Sequence, residues 1–179
     1  MTNYVDNIVS VFRSATAAQI EAGTAWYHDA HALALALTPH DVTIAAGVIA
    51  VLSPKTLWER NQTLAINAFH TGISTGGMPA NCAKANRIMS GEPAESVIGG
   101  PKVTQFYRTI LDPNGEHDAV IDRHAHDIAM GKRMRESERK FGVKIYRAMV
   151  EAYAQAAYAC DSTPTIVQAA TWVAWRGDA

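Results

Sequence analysis

The chain has 179 residues and a formal net charge of −1, with 48% hydrophobic and 18% charged residues. These values exclude a disordered chain, because the apolar side chains suffice to bury a core, and they favour one globular domain over residues 1–179. They also exclude a protein that is basic throughout, so any surface for nucleic acid has to come from local clusters of charge.

The longest apolar run, Val42 to Leu52, is too short to span a membrane and predicts a buried helix. The first residues lack a basic stretch, so no secretory signal and no membrane partner are expected. Cys82 and Cys160 lie far apart in the sequence, which predicts free thiols and a cytoplasmic location. No metal or other cofactor is expected.

Apolar residues recur at steps of three and four, and no alternating pattern persists, so we predict an all-α chain of about ten helices. The first four are predicted over Tyr4–Arg13, over Ala17–Leu37 with a break near Gly23, from Thr38 and Pro39 through VTIAAGVIAVL, and from Ser53 and Pro54 through LWERNQTLAINAF. The third is apolar on nearly all sides, so it is expected to be the central core helix.

Shorter helices are expected in the middle of the chain and longer ones at its end. They are predicted over Ala80–Met89, over Ala94–Ile98, over Lys102–Leu111 after Pro101, over Val120–Met130, from the basic segment onward as a long helix to Cys160, and from Thr163 and Pro164 through TIVQAATWVAWR. The stretch DPNGEHD is predicted to be a loop.

The segment Gly99-Gly100-Pro101-Lys102 joins two of the short predicted helices. Glycines permit unusual backbone angles and a close approach to another molecule, and the N–H groups at the start of a helix attract anions. The segment therefore predicts either a surface turn or a hairpin that binds a DNA phosphate. Asp122 follows twenty residues later at the start of a predicted helix, where a carboxylate can cap the N–H groups or emerge into a cleft.

Together with Ile121-Asp122-Arg123-His124, this hairpin resembles the helix-hairpin-helix DNA glycosylase superfamily. It is closest to the lysine-bearing glycosylase/lyases of the 8-oxoguanine and endonuclease III types, which carry a glycine-rich hairpin with a lysine and then an aspartate. The resemblance implies a helix-hairpin-helix glycosylase-like bundle that binds double-stranded DNA and extrudes one nucleotide. It also implies that Lys102 attacks the sugar and that Asp122 stabilises charge on it.

The segment IAVLSPKTLWERN resembles the part of these enzymes that fills the gap left by the extruded base, which implies DNA contacts from Lys55 and Thr56. Trp26, Tyr27, Asn61 and His124 are candidates for the base pocket, because aromatic side chains can stack on an extruded base. Core packing is the alternative for the aromatic residues. The chain lacks the four-cysteine cluster found in part of the superfamily, which leaves room for a relative with changed chemistry, such as a bacteriophage enzyme of DNA-base hypermodification, or for a DNA-binding protein.

Lys132 to Arg147 contains seven basic residues and only two acidic ones. Such a segment is typical either of a solvated helix face or of phosphate contact, so Arg135, Arg139 and Lys140 are predicted to bind DNA. Four His-Asp dipeptides, at His28, His40, His117 and His126, leave a metal phosphohydrolase of the HD type as a further alternative.

Overall fold

The computed structural model describes residues 3–140 and 142–177. Within these ranges the chain forms ten α-helices and one 3-10 turn and contains no strand, which confirms the predicted all-α class. The α-helices are α1 (Tyr4–Ser14), α2 (Ala17–Leu37), α3 (Val42–Leu52), α4 (Trp58–Thr71), α5 (Pro79–Met89), α6 (Ala94–Val97), α7 (Pro101–Leu111), α8 (Arg123–Met130), α9 (Val143–Ala159) and α10 (Pro164–Arg176). The 3-10 turn covers Glu136–Glu138.

The helices form two compact units. The first contains the chain up to Tyr27 and again from Gly115 onward, and the second contains His28–Asn114. Helix α2 contributes residues to both, because the boundary between the units falls between Tyr27 and His28. The prediction of a single domain is not tested by this division and stays a prediction.

In the first unit, α1 packs against α8, α9 and α10. Their shared core includes the fully buried side chains of Ile8, Ile121, Met149 and Tyr153. The hydroxyl of Tyr153 donates to the carbonyl of Ala125 at 3.3 Å, so this buried polar group is satisfied on the neighbouring helix. The core thus fixes α8, which carries the candidate site residues, against α9.

The first turns of α2 approach α10 unusually closely. A Cβ atom at Gly23 would lie 2.4 Å from the Cα of Ala170, so only glycine allows this approach. The break predicted near Gly23 is wrong, because α2 is continuous through this residue. The helix-breaking tendency of glycine is outweighed here by the packing that the missing side chain permits.

In the second unit, α3 packs against α4, α5, α6 and α7. All residues from Ala45 to Leu52 are buried, as expected for the central helix of this unit. At Gly47 a Cβ atom would lie 2.7 Å from the Cβ of Ala94, so a glycine again allows one helix to pack closely on another. The segment Ala94–Val97, which begins the candidate hairpin, is thereby seated on the core.

The predicted starts of α3 and α4 are wrong. Asp41 caps α3 by accepting from the N–H of Thr43 at 3.1 Å, so the helix begins at Val42 rather than at Pro39. Ser53 ends α3 instead of starting α4, because its N–H donates to the carbonyl of Ala50. Helix α4 begins at Trp58 after an extended Leu57. In both places a proline near a hydroxyl residue imitated a helix start.

Helix α8 begins three residues later than predicted. Val120 and Ile121 are buried but lie outside any helix, and Asp122 is the N-cap residue. The prediction followed their apolar character, which the core requires whether or not the backbone is helical. The predicted start of α10 is confirmed, since Thr163 accepts from the N–H of Ile166 and Pro164 is the first helical residue.

The loop that follows α8 is anchored by a buried ion pair. The carboxylate of Asp127 accepts two hydrogen bonds from the guanidinium of Arg139, both at 2.8 Å, and one from the N–H of Met134 at 3.1 Å. The Asp127 side chain is only 4% exposed. Burial alone would raise the pKa of Asp127, but the hydrogen bonds from Arg139 and Met134 outweigh burial and hold this pKa below its ordinary value.

We expect Asp127→Asn to lower the free energy of unfolding by about 3 kcal/mol at neutral pH, because it leaves the Arg139 guanidinium without its buried partner. The folded pKa of Asp127 is depressed, so its contribution is complete above the unfolded value of about 4 and is lost as the pH falls through the folded pKa. The difference between wild type and variant, measured by chemical denaturation, should therefore shrink below about pH 4. The exposed Asp118→Asn is the control, and equal effects of the two variants would contradict the ion pair.

Candidate functional site

The predicted hairpin lies in the second unit, where α6 ends at Val97 and α7 begins at Pro101. Gly100 has φ 83° and ψ 145°, backbone angles that side-chain-bearing residues rarely adopt. The N-cap residue of α7 is Gly100, which has no side chain to cap the first N–H groups of the helix. Lys102 lies in the first turn of α7 and is half-buried. The turn thus has the glycine geometry and the helix start that were predicted for it.

A partly buried hydrogen bond ties the two helices of this hairpin together. The hydroxyl of Tyr107 on α7 donates to the Glu95 carboxylate on α6 at 2.6 Å. Burial of the Tyr107 ring, together with this bond to Glu95, raises the pKa of Tyr107, and the same bond lowers the pKa of Glu95. This tether was not predicted, because a tyrosine at that position of the sequence is equally consistent with simple core packing.

The segment between α3 and α4 carries Lys55 and Thr56. Lys55 is exposed and has a positive φ of 59°, which is uncommon for a residue with a side chain. The N–H of Thr56 donates to the carbonyl of Ser53 at 3.2 Å and closes a tight turn. The turn presents the Lys55 side chain to solvent and leaves Thr56 half-buried.

Asn61 has a structural position in the second unit. Its side chain is buried, and the Nδ2 group donates to the carbonyl of Ile49 at 3.0 Å. This carbonyl is in the last turn of α3, where carbonyls need a partner from outside the helix. The predicted role of Asn61 in a base pocket stays a prediction.

Asp122 lies in the first unit, and both of its carboxylate oxygens accept hydrogen bonds. Oδ1 accepts from the backbone N–H groups of His124 and Ala125, both at 2.8 Å. Oδ2 accepts from the indole Nε1–H of Trp172 at 3.3 Å. The carboxylate therefore caps α8, as one of the two predicted readings has it, and is also joined to α10.

Aromatic side chains surround Trp172, and together they form what we call the Trp172 cluster: Trp26, Tyr27, His124 and Trp172. Edge-to-face contacts join Trp172 to Trp26, with ring centroids 5.7 Å apart, and to His124 at 6.0 Å. Trp26 in turn meets Tyr27 at 5.1 Å. The cluster therefore brings together, beside Asp122, three of the four residues that were predicted for the base pocket.

Charges and hydrogen bonds fix the edges of the cluster. The guanidinium of Arg176 lies 4.3 Å from the ring centroid of Trp172, a cation–π distance. The buried hydroxyl of Tyr27 donates to Oε1 of Gln168 at 2.6 Å. Burial raises the pKa of Tyr27 well above its ordinary value, and the nearby Asp122 adds to this rise. Tyr27 is therefore a neutral hydrogen-bond donor in this site.

His124 is held in its neutral form. Burial lowers the pKa of His124, Asp122 opposes the effect, and Arg123 and Arg176 add to the lowering. The Nε–H of Arg123 donates to Nε2 of His124 at 3.2 Å, which requires a lone pair on that nitrogen. His124 therefore offers a neutral ring edge beside Trp172.

The basic segment is not uniform. Arg135 and Lys140 are exposed, whereas Arg139 is half-buried in its ion pair with Asp127. Arg133 lies over the ring of Trp175 with its guanidinium carbon 5.1 Å from the ring centroid. Two of the arginines thus have partners within the first unit, and the DNA contacts predicted for Arg135, Arg139 and Lys140 stay a prediction.

The sequence did not indicate the role of Trp172. Its spacing of three from Trp175 on α10 is equally typical of core packing, and the contact with Asp122 joins residues 50 positions apart. Lys102, the other predicted catalytic residue, belongs to the second unit, whereas Asp122 belongs to the first. The only local signal for Trp172 is Arg176 one helical turn later, a spacing that places the two side chains on the same face.

The His-Asp dipeptides gather no metal ligands in the part of the chain that the structure describes. Within residues 3–140 and 142–177, no three His, Cys, Asp or Glu side chains are placed to hold one metal ion. His28, Asp29 and His40 are exposed, and Asp127 is engaged by Arg139. The ligand set that an HD-type phosphohydrolase would need is therefore not found among these residues.

No described helix combines the length and the apolar character that crossing a membrane would require. Comparison with curated proteins and with solved structures finds no match. One family model, described as a family of unknown function, matches residues 1–179. The chain therefore belongs to the family of unknown function DUF7178.

Proposed function

We propose that this protein is a DNA glycosylase with lyase activity, which excises a modified or damaged base through Lys102 and Asp122. The observation that carries the proposal is the environment of the Asp122 carboxylate. Its carboxylate is held at the start of α8 by two backbone N–H groups and lies beside a half-buried group of aromatic rings. Base excision needs a fixed negative charge to stabilise the sugar and aromatic surfaces on which the extruded base can stack.

The charge of Asp122 would act on the sugar. Cleavage of an N-glycosidic bond leaves positive charge on C1′ and the ring oxygen, and a carboxylate at that place stabilises the charge in the transition state. Three donors already contact Asp122, and a carboxylate offers about four acceptor positions. One position is then left for the substrate.

Lys102 would supply the nucleophile. Its neutral amine attacks C1′, the N–C1′ bond forms, and the bond to the base breaks, so that the base leaves with the electron pair and takes up a proton. Loss of a proton from the lysine nitrogen opens the sugar to an imine. Removal of a C2′ proton then breaks the C3′–O bond, which is the lyase step. Lys102 belongs to the second unit and Asp122 to the first.

The hairpin and the basic segment support a DNA substrate. The turn at Gly99 and Gly100 exposes the start of α7, and helix starts of this kind attract phosphate. Arg135, Lys140 and Lys144 add exposed positive charge in the first unit. A DNA-binding protein or a base-modifying enzyme on the same fold would share these features, so the chemistry has to be tested directly.

Borohydride trapping tests the chemistry. An imine between Lys102 and C1′ can be reduced, which leaves the protein covalently attached to the DNA. We expect adducts on a panel of duplexes with single damaged bases, and weaker ones on a single abasic site. Lys102→Ala should abolish the adduct, and Asp122→Asn should slow its formation at least about a hundredfold while duplex binding persists. Because exposed amines trap abasic sites slowly, only the adduct that depends on Lys102 counts.

Trapping that survives Lys102→Ala would overturn the assignment of the nucleophile. If no base in the panel gives an adduct although the duplex is bound, the glycosylase proposal fails and a DNA-binding or base-modifying protein takes its place.

The hairpin can be tested without straining its backbone. Gly100 has a positive φ, so any substitution there strains the fold, whereas Gly99 has no positive φ and a Cβ atom would meet only Nζ of Lys84 at 3.7 Å. We expect Gly99→Val to weaken duplex binding about tenfold or more at unchanged stability, because the side chain keeps a phosphate away from the backbone. Gly99→Ala should have a smaller effect. Unchanged binding in Gly99→Val would exclude close contact with DNA at this turn.

Salt dependence tests the basic segment. Arg135→Gln, Lys140→Gln and Lys144→Gln change exposed side chains and leave the Arg139 ion pair intact. If each contacts a phosphate, each variant should lower the slope of log binding constant against log salt by about one unit. Arg13→Gln, an exposed arginine of the same unit outside the segment, is the control. An unchanged slope in all three variants would show that the basic segment is a solvated surface without phosphate contacts.

A further inference from the structure

We propose that Trp172 is a positioning residue, which holds the Asp122 carboxylate in one orientation by donating its indole N–H to Oδ2. This inference rests on the proposed function for its catalytic consequence, but the hydrogen bond itself can be tested without any activity. Nothing in the sequence assigns a role to Trp172, and the family is of unknown function.

The first step of the argument is the geometry of the carboxylate. Two backbone N–H groups hold Oδ1, and neither of them contacts Oδ2. The indole donor at 3.3 Å supplies a partner for Oδ2 and so fixes the plane of the carboxylate through its second oxygen. The lone pair that remains on the carboxylate therefore points in one fixed direction. A carboxylate that stabilises charge on a substrate has to be oriented in this way.

The second step is the rigidity of the donor. Trp172 is itself held by the Trp26 ring on one side, by the His124 ring on another, and by the guanidinium of Arg176 over its face. A side chain with three such neighbours has little rotamer freedom to lose when it makes a hydrogen bond. The bond to Asp122 is thus pre-organised, and the Trp172 cluster serves the carboxylate as a support.

The third step is a comparison within α10. Trp175 is three residues further on, is also half-buried, and also has an arginine over its ring, namely Arg133. Its buried Nε1 finds no acceptor among the described residues. Both tryptophans lie under an arginine, but only Trp172 donates to Asp122 and contacts Trp26 and His124. Trp175→Phe is therefore the control for removing an indole donor from the same helix without removing a hydrogen bond.

The experiment combines a kinetic and a spectroscopic measurement. Trp172→Phe keeps an aromatic ring but removes the donor, so trapping by borohydride on a duplex with a single abasic site should slow about ten- to hundredfold, the effect of losing one hydrogen bond to a charged group. Duplex affinity and thermal stability should stay close to those of wild type. Trp175→Phe should trap within about twofold of wild type, because it removes a donor that has no acceptor.

The spectroscopic measurement uses the indole N–H signals of the protein labelled with ¹⁵N on tryptophan, assigned through the single Trp→Phe variants. The asparagine of Asp122→Asn has a single oxygen, which can face either the backbone N–H groups of α8 or the indole. In the first case an NH₂ group faces the indole, and in the second the charged acceptor has become a neutral amide oxygen, so the hydrogen bond from Trp172 is weakened in both. We expect a clear shift of the Trp172 signal and a much smaller one for Trp175. This variant retains all four tryptophans, so the result does not depend on whether Trp172→Phe folds.

The outcomes separate the two proposals. Slow trapping in Trp172→Phe alone, with a selective shift of the Trp172 signal in Asp122→Asn, supports the positioning role. Equal trapping by Trp172→Phe and Trp175→Phe overturns it. If wild type forms no adduct, the proposed function fails and the indole signal decides alone: a selective shift supports the positioning of Asp122 by Trp172, and an unmoved Trp172 signal overturns it.

Discussion

The contact between Gly23 on α2 and Ala170 on α10 sets the geometry of the first unit's candidate site. The backbones approach so closely that a Cβ atom on Gly23 would lie 2.4 Å from both the Cα and the nitrogen of Ala170. Trp26 is one helical turn beyond Gly23, and Trp172 is two residues beyond Ala170. The missing side chain therefore brings the two indoles to 5.7 Å, and the Trp172 indole in turn reaches Asp122.

Asp122 combines a structural and a proposed chemical task, and the structure separates them by oxygen. Oδ1 caps α8, a task that asparagine also performs well. Oδ2 accepts a hydrogen bond from the indole of Trp172. An asparagine whose oxygen caps α8 turns its NH₂ group, a donor, towards the indole N–H, so it cannot replace this acceptor. An effect of Asp122→Asn on chemistry with little loss of stability would thus reflect the second task, since the first survives the change.

Local signals predicted the elements well where one cap residue was unambiguous. Thr163 and Pro164 start α10 as expected, and the apolar body of α3 is buried throughout. The starts of α3 and α4 were wrong because the Thr38-Pro39 and Ser53-Pro54 pairs carry the same local signal as a true start, while Asp41 and the turn closed by Thr56 decide the outcome. Local propensity cannot decide which of two nearby candidate N-cap residues starts a helix when packing in the folded unit makes the difference.

The site itself was predictable only in part. Asp122 and the hairpin stand out in the sequence because glycine, lysine and a cap residue carry local meaning. Trp172 does not stand out, because its contact with Asp122 depends on the approach of α2 to α10 and on the path of Val120 and Ile121 through the core. Such a contact is a property of the packed unit and has no periodic signal.

The basic segment shows how a run of charge divides once the chain folds. Arg139 turns inward to Asp127, and Arg133 lies over Trp175, so their charges are used to hold the loop after α8 and its neighbour α10 in place. Arg135, Lys140 and Lys144 stay exposed. A count of charges treats all of these residues alike, whereas only those without a buried partner can exchange their counterions for phosphate at little structural cost. The electrostatic surface that the proposed DNA contact requires is therefore smaller than the count of basic residues in the sequence suggested.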